Sequence, residues 1–349
     1  MPTIRHFDFN FFSEKILNKN IYGKINRLDN KVGIKKSLIL IHIQNSMSLN
    51  KGVHKENLSD NIFLWGMVLS MFVWGLSWAS GKLLSRYASP NIIAFYRFTF
   101  TFISMYFVVK WSKADFRIAR SGYVSLLKAA LVLALYSFLF FKGLSLGNAG
   151  AGGVLVTILN PIISYFIMLL LKKRIPDLKE FLGLFLGLIA GFVLLSLWSD
   201  WEKVFLAGNI YFLLASFSWA ILSVFTSKSA DYGSPLAFSF WMYGLSALLS
   251  MIFIDFSSAF SLLRSADLTF WLNLFYSSTI TTAFATTFYF IATTKIGASK
   301  ASSFIFLVPF SATLGAWFIL GEIPMWNTLL GGLIGILAVY VLNQKKKAY

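Results

Sequence analysis

Between residues 62 and 343 the chain is a succession of apolar runs, near 62–85, 91–110, 122–141, 151–171, 180–198, 206–227, 235–255, 269–291, 302–320 and 327–343, separated by short polar turns. Each run approaches the ~20 residues that a helix needs to cross about 30 Å of hydrocarbon. Lipid offers backbone N–H and C=O groups no partner, so such runs must satisfy them internally as helices. The sequence therefore predicts an all-α polytopic membrane protein with ten transmembrane helices. The 13% share of charged residues agrees, being about half of what soluble domains carry.

The formal net charge is +17, yet nucleic acid is not the implied partner, because after residue 61 the basic residues fall between apolar runs and not on one interleaved face. They orient the chain in lipid instead. Short cytoplasmic loops retain Lys and Arg. With the N-terminus inside, the inner side holds fourteen basic residues, among them Lys113, Arg117, Lys172 to Arg174, Lys300 and Lys345 to Lys347, against four outside, Arg86, Lys142, Lys203 and Arg264. Both termini are thus expected in the cytoplasm of a cell bounded by this inner membrane.

Residues 1–61 read as a separate basic tail, disordered or lying on the membrane surface, with ten Lys/Arg against five Asp/Glu. Its longest apolar stretch, Leu38–Ile43, is too short to span or to act as a signal-peptide core. Met47 offers an alternative start. Residues 344–349 form a second basic tail.

Two apolar runs are versions of one another. "LNPIISYFIMLLLKKRIP" (159–176) and "LVPFSATLGAWFILGEIP" (307–324) superpose at a shift of 148 residues, which also places Gly183 on Gly331 and Gly187 on Gly335. At a shift of 145, Trp74 falls on Trp219 and Ser89–Pro90 on Ser234–Pro235. The chain thus divides into five-helix repeats over 62–198 and 206–343. Five is odd, so the second copy enters from the opposite face and the halves form an inverted repeat. Arg174 in the first copy and Glu322 in the second are then the same turn on opposite sides of the membrane. Inverted halves can exchange conformations, which gives alternating access to a site near the midplane.

The whole of 62–343 resembles the EamA-type families of the drug/metabolite transporter superfamily. The resemblance rests on "WGLSWASGKLLSRYASP" running into "FYRF", on "LNP" and "LVP" opening the fourth and ninth helices, and on "LGEIP" closing the ninth. It implies ten helices and carriage of small metabolites, commonly export, without ATP hydrolysis. The sequence departs from the family at "KKRIP", where many relatives carry an acidic residue, and in its long N-terminal tail.

Several residues stand out against the apolar background. Lys82 and Arg97 are in-span charges, costing about 2.5–3.5 kcal/mol each at mid-bilayer. They are expected to pair with Glu322 as an outer latch, to receive an anionic substrate group, or to snorkel to lipid phosphate. Pro161 and Pro309 are candidates for hinges or cavity walls, or for helix-start prolines. The eighth run, "SSTITTAFATTFYF", aligns Thr279, Thr282, Thr286 and Tyr289 on one α-helical face. With Trp74, Trp78, Tyr136 and Trp219 these are the candidate cavity lining, set against packing and hydroxyl-to-carbonyl bonding as the alternative use. Gly183, Gly187, Gly191, Gly331 and Gly335 permit close helix approach, within the monomer or across a homodimer.

Enzymatic chemistry has little to stand on. There is no cysteine, and His6, His42 and His54 all lie in the tail. Paired carboxylates are missing from the spans, so neither catalysis, nor a resident metal or cofactor, nor a carboxylate proton relay is expected. "GLSWASGK" has five residues between its glycines, and Leu83 where a phosphate-binding loop needs Ser or Thr, so no ATP site is read. The reading is a permease for a small amino-acid-like or amphipathic metabolite, with carriage of anionic metabolites such as nucleotide derivatives as one alternative. A non-transporting scaffold or sensor is the alternative of another class.

Overall fold

The computed structural model describes residues 63–343 apart from 174, 195, 200, 201, 203–206, 322, 324 and 325. The expectations for the tail, for Arg174 and for Glu322 fall outside the described residues.

The described chain is helical, its one bridge being the isolated Ile118–Gly233 pair. The helices are α1 (Phe63–Leu84), α2 (Pro90–Trp111), α3 (Tyr123–Leu146), α4 (Ala149–Lys172), α5 (Leu178–Leu194), α6 (Ala207–Ser227) and α7 (Pro235–Met251). There follow α8 (Phe256–Ser265) and α9 (Leu268–Phe275), a π-helical segment Tyr276–Thr286, and α10 (Thr287–Ile296). Then come α11 (Ala298–Ser303), a 3-10 turn Phe304–Leu307, α12 (Val308–Leu320) and α13 (Trp326–Asn343).

Local chemistry sets the boundaries. Pro90 and Pro235 open α2 and α7, where a missing N–H costs nothing. Asp255 and Asp267 cap α8 and α9 by accepting from the N–H groups of Ser258 and Phe270, both at 2.9 Å. Gly321, at φ +74°, ends α12 in the left-handed conformation that a side chain disfavours.

By length and composition, five described helices can cross a membrane: Phe63–Leu84, Pro90–Trp111, Arg120–Leu146, Ile210–Asp231 and Lys300–Leu320. The pair α7 and α8, bent by 112°, passes the same test together. The eighth apolar run does not qualify as one α-helix because the π-helical segment divides it into pieces of 8, 11 and 10 residues. Large apolar side chains stay exposed around the bundle, as Trp111 (84%) and Phe318 (75%) illustrate. Such a surface suits lipid, not water.

Helices from the two repeats interleave: α2 packs on α7, α3 on α6, α4 on α6 and α12, and α5 on α13. The glycines make these approaches possible. A Cβ on Gly187 would lie 2.3 Å from the Phe306 ring, one on Gly191 2.7 Å from Ile158, and one on Gly335 2.8 Å from the Phe306 carbonyl. Gly183 and Gly331 are buried as well. Three of the five glycines are therefore filled by partners within this chain.

Tighter still is Gly75 of α1, whose Cβ would fall 1.9 Å from Ser311 Oγ and 2.6 Å from the Ala312 backbone nitrogen. A backbone neighbour cannot swing aside. Gly75→Ala is expected to cost about 1–3 kcal/mol of overpacking, read as a lowered unfolding midpoint in detergent.

Asp267 also accepts from the Tyr87 hydroxyl at 2.7 Å, tying the α1–α2 turn to the start of α9. The Phe270 N–H, followed by that hydroxyl, holds the Asp267 carboxyl below its ordinary value, and the same bond raises Tyr87. A depressed folded pKa contributes stability that is present above the unfolded value of about 3.9 and is lost as pH falls through the folded one. Asp267→Asn should keep the cap yet flatten the acid limb of thermal stability measured from pH 6 downward.

Candidate functional site

Helices α1, α2, α3, α4 and α6, the π-helical segment and the start of α12 surround a buried cavity of about 40 Å³ open to the centres of water-sized groups. One water needs roughly 10–15 Å³ on that measure, so the space takes a group of a few heavy atoms. Five aromatic side chains, Trp74, Trp78, Tyr136, Phe140 and Trp219, form one part of its wall. Trp74 and Trp219 meet edge to face at 5.0 Å, Tyr136 lies 4.6 Å from Trp219, and Trp78 lies 4.9 Å from Phe140. Trp74 and Trp219, the residues matched by the 145-residue shift, are thus in direct contact across the two repeats.

Arg97 of α2 enters this wall at 6% exposure. Its Nε donates to Thr282 Oγ1 at 3.0 Å. Its guanidinium lies 5.6–6.0 Å from the centres of the Phe98, Phe140 and Phe141 rings, within the range where a cation gains from a ring face. Among the described residues no carboxylate pairs with it. Deprotonation is no escape for a guanidinium.

The π-helical segment presents the opposite wall, and its geometry has a traceable cause. Hydroxyls reach carbonyls that an α-helix would occupy with its own N–H groups: Thr101 shares its proton between Arg97 O at 2.7 Å and Ser278 O at 3.0 Å, and Tyr243 donates to Thr282 O at 3.2 Å. Within the segment, Thr282 donates to Ser277 O at 2.6 Å and Thr286 to Thr281 O at 2.9 Å, both five residues back. With their protons so committed, Thr282 and Thr286 are left to accept. Thr282 accepts from Arg97, and Thr286 from Trp74 Nε1 at 3.0 Å.

This wider turn corrects the expected threonine stripe. Ser277, Thr281 and Thr286 line the cavity. Thr279 faces away and pairs with Ser104 at 2.9 Å. Tyr289 is fully buried behind Trp74 and Trp219, with its hydroxyl 3.0 Å from Ser223. Trp74, Trp78, Arg97, Tyr136, Trp219 and Thr286 lie together around the cavity, while Thr282 sits one bond behind Arg97.

Lys82 is not in the cavity wall. Its Nζ donates to the carbonyls of Leu144 at 2.6 Å and Gly147 at 2.8 Å, where the negative end of the α3 dipole favours a cation. The two prolines part company. Pro161 is inside α4, and the carbonyl it deprives of an N–H belongs to Thr157, a lining residue. Pro309 begins α12 after the 3-10 turn, so it realises the helix-start alternative. Thr157, Asn160 and Thr281 also line the cavity, and none was singled out from the sequence. The available signal was the pair of polar residues in "LVTILNP", isolated in an apolar run just before a proline.

The model of the EamA-like transporter family matches residues 61–196 and again 206–344. The chain belongs to the EamA-like transporter family. Relatives include an uncharacterized transporter of Archaeoglobus fulgidus, 26% identical across 80% of this chain and 96% of its own. Another is the uncharacterized transporter YoaV of Bacillus subtilis, 23% identical across 77% and 92%. A WAT1-related chloroplastic protein of Arabidopsis thaliana is 26% identical across 80% and 69%. A solved crystal structure superposes with a TM-score of 0.57 at 17% identity, covering 79% of this chain and 96% of that one, a likeness of fold alone. The protein is a multi-pass membrane transporter and not an enzyme.

Thr282→Val leaves the Arg97 Nε–H without its acceptor while keeping side-chain shape. The loss expected is about 1–3 kcal/mol, measurable as a lower denaturation midpoint in mixed micelles.

Proposed function

We propose that this family member is a secondary transporter, exporting a small amino-acid-like or amphipathic metabolite across the inner membrane by alternating access. The observation that carries the reading is the cavity itself, enclosed, aromatic and hydroxyl-lined, built from both family-matched halves, with a buried cation in its wall. A scaffold has no use for a desolvated Arg97 at the seam of its repeats.

The proposed architecture is ten crossings in two inverted halves, 62–198 and 206–343, with both termini cytoplasmic. Helix packing supports it. In α2 against α7, α4 against α12 and α5 against α13, each helix meets its own counterpart under the sequence repeat, the contact expected along a two-fold axis in the membrane plane. Single cysteines on this cysteine-free chain test the arrangement. A thiol at Lys113 should be labelled by an impermeant maleimide only from inside, and one at Lys203 only from outside. Labelling of both from the same side would remove the inverted topology.

Glu322 remains proposed as a latch on the outer side, and charge reversal there should alter transport rates. Unchanged counterflow in Glu322→Arg would dismiss it. Carriage of nucleotide derivatives is the weaker reading. Arg97 is the cation in the described cavity wall and Lys82 is held by carbonyls, so the site is matched to one negative charge and not to several. Transport itself is tested by metabolite profiling of cells with and without the gene, followed by counterflow with purified protein in liposomes. Absence of any metabolite difference and of counterflow would leave a scaffold.

A further inference from the structure

Arg97 offers more donors than the described residues answer. A guanidinium has five N–H bonds, and among the described residues one of them, on Nε, is accepted, by Thr282. The terminal nitrogens have no protein acceptor there, although the residue is 6% exposed. Two further buried donors of the cavity wall, Trp219 Nε1 and Thr281 Oγ1, make no hydrogen bond of their own. Trp219 Nε1 faces the Tyr289 hydroxyl and Thr281 Oγ1 the Tyr276 hydroxyl, each short of hydrogen-bond geometry, while Tyr289 pairs with Ser223 at 3.0 Å and Tyr276 donates to Val73 O at 2.9 Å. The Tyr136 hydroxyl, beside Arg97, is likewise without a hydrogen-bond partner among the described residues.

Ser77 donates to Trp74 O and Thr157 to Gly153 O, and although both oxygens keep lone pairs, neither is hydrogen-bonded to the guanidinium, whose one acceptor among the described residues is Thr282. Asn160 Oδ1 already accepts from Ser164 at 3.3 Å. A buried group of unmet donors around a positive charge is costly unless an acceptor arrives. The cavity, with room for a few heavy atoms, is where that acceptor fits.

We propose that the transported compound is a monoanion whose single carboxylate is bound by the free edge of Arg97, with Tyr136, Trp219 and Thr281 as further donors, and whose remaining body is apolar. This deepens the carrier reading and rests on it. A carboxylate presents two oxygens in the spacing a guanidinium edge matches, and one negative charge neutralises the site. A dianionic phosphate would leave a second charge buried against aromatic rings. The aromatic wall suits an apolar body, which requires the Trp74–Trp219–Tyr136 group to part, since 40 Å³ holds the carboxylate alone.

The test uses three probes of one shape. Full-length protein in nanodiscs is titrated with radiolabelled benzoate, with benzamide and benzylamine as neutral and cationic competitors. Benzoate is expected to bind saturably and at least tenfold more tightly than either competitor. Arg97→Gln should abolish that preference, and Arg97→Lys should restore part of it. Arg97→Gln loses the Nε bond to Thr282 together with the buried charge, so a retained cooperative melt in both Arg97 variants is the control that separates lost binding from lost folding. No saturable benzoate binding, equal binding of benzamide, or an unchanged preference in Arg97→Gln would each overturn the anion site. Counterflow in proteoliposomes separates the two readings. Benzoate binding without counterflow keeps the anion site and removes the carrier, while counterflow of neutral or cationic compounds without carboxylate preference keeps the carrier and removes the anion site.

Discussion

Lipid gives a peptide group nothing to bond with, and this constraint governs the molecule at every scale. It forces the apolar runs into helices, and it obliges serine and threonine side chains to bond back to backbone carbonyls, as Ser70, Thr99, Ser218 and Ser223 do. Departures from the α-helical ladder are allowed only where other donors step in. The π-helical segment Tyr276–Thr286 is such a departure, held by Thr101 and Tyr243 from neighbouring helices. Irregular backbone and cavity therefore coincide, because a wall with an altered hydrogen-bond register is also one whose side chains are turned inward by a different angle. π-helical turns occur frequently at functional sites, and here the turn decides which hydroxyls meet Arg97.

Close packing has a second role. Between helices already in lipid there is little hydrophobic drive, so association depends on contact quality and on polar bonds. Gly75 against Ser311 and Ala312, and Gly187 against Phe306, bring backbones near enough for dispersion contacts to add up. Polar bonds cross the seam at several places, among them Trp74 to Thr286, Arg97 to Thr282 and Thr101 to Ser278 O. These three meet the π-helical segment, so residues that join the halves also shape the cavity between them.

Much of the candidate site was legible before any coordinates. Trp74 and Trp219 were paired by the repeat, and Arg97 was conspicuous because a charge inside an apolar run is expensive. Lys82 was equally conspicuous and belongs elsewhere. Both lysine and arginine break the apolar pattern in the same way, and whether the charge faces a cavity or a helix end depends on the rotation of its helix. Pro161 and Pro309 show a similar limit. The repeat equates them, yet one lies within α4 and the other opens α12, because the 3-10 turn Phe304–Leu307 has no counterpart inside α4.

The sequence by itself determined the solvent, the secondary structure class and the family, since these follow from run length, charge spacing and a repeat, all of which are properties of a string. It also marked the expensive residue, Arg97, because the cost of a charge in hydrocarbon does not depend on its neighbours. Tertiary structure alone decided which donors remain unanswered. Thr281 faces the cavity and Thr279 does not because hydroxyls from α2 and α7 capture carbonyls of a third helix and widen its turn. Such hydrogen bonds join residues more than thirty positions apart, and no local period records them.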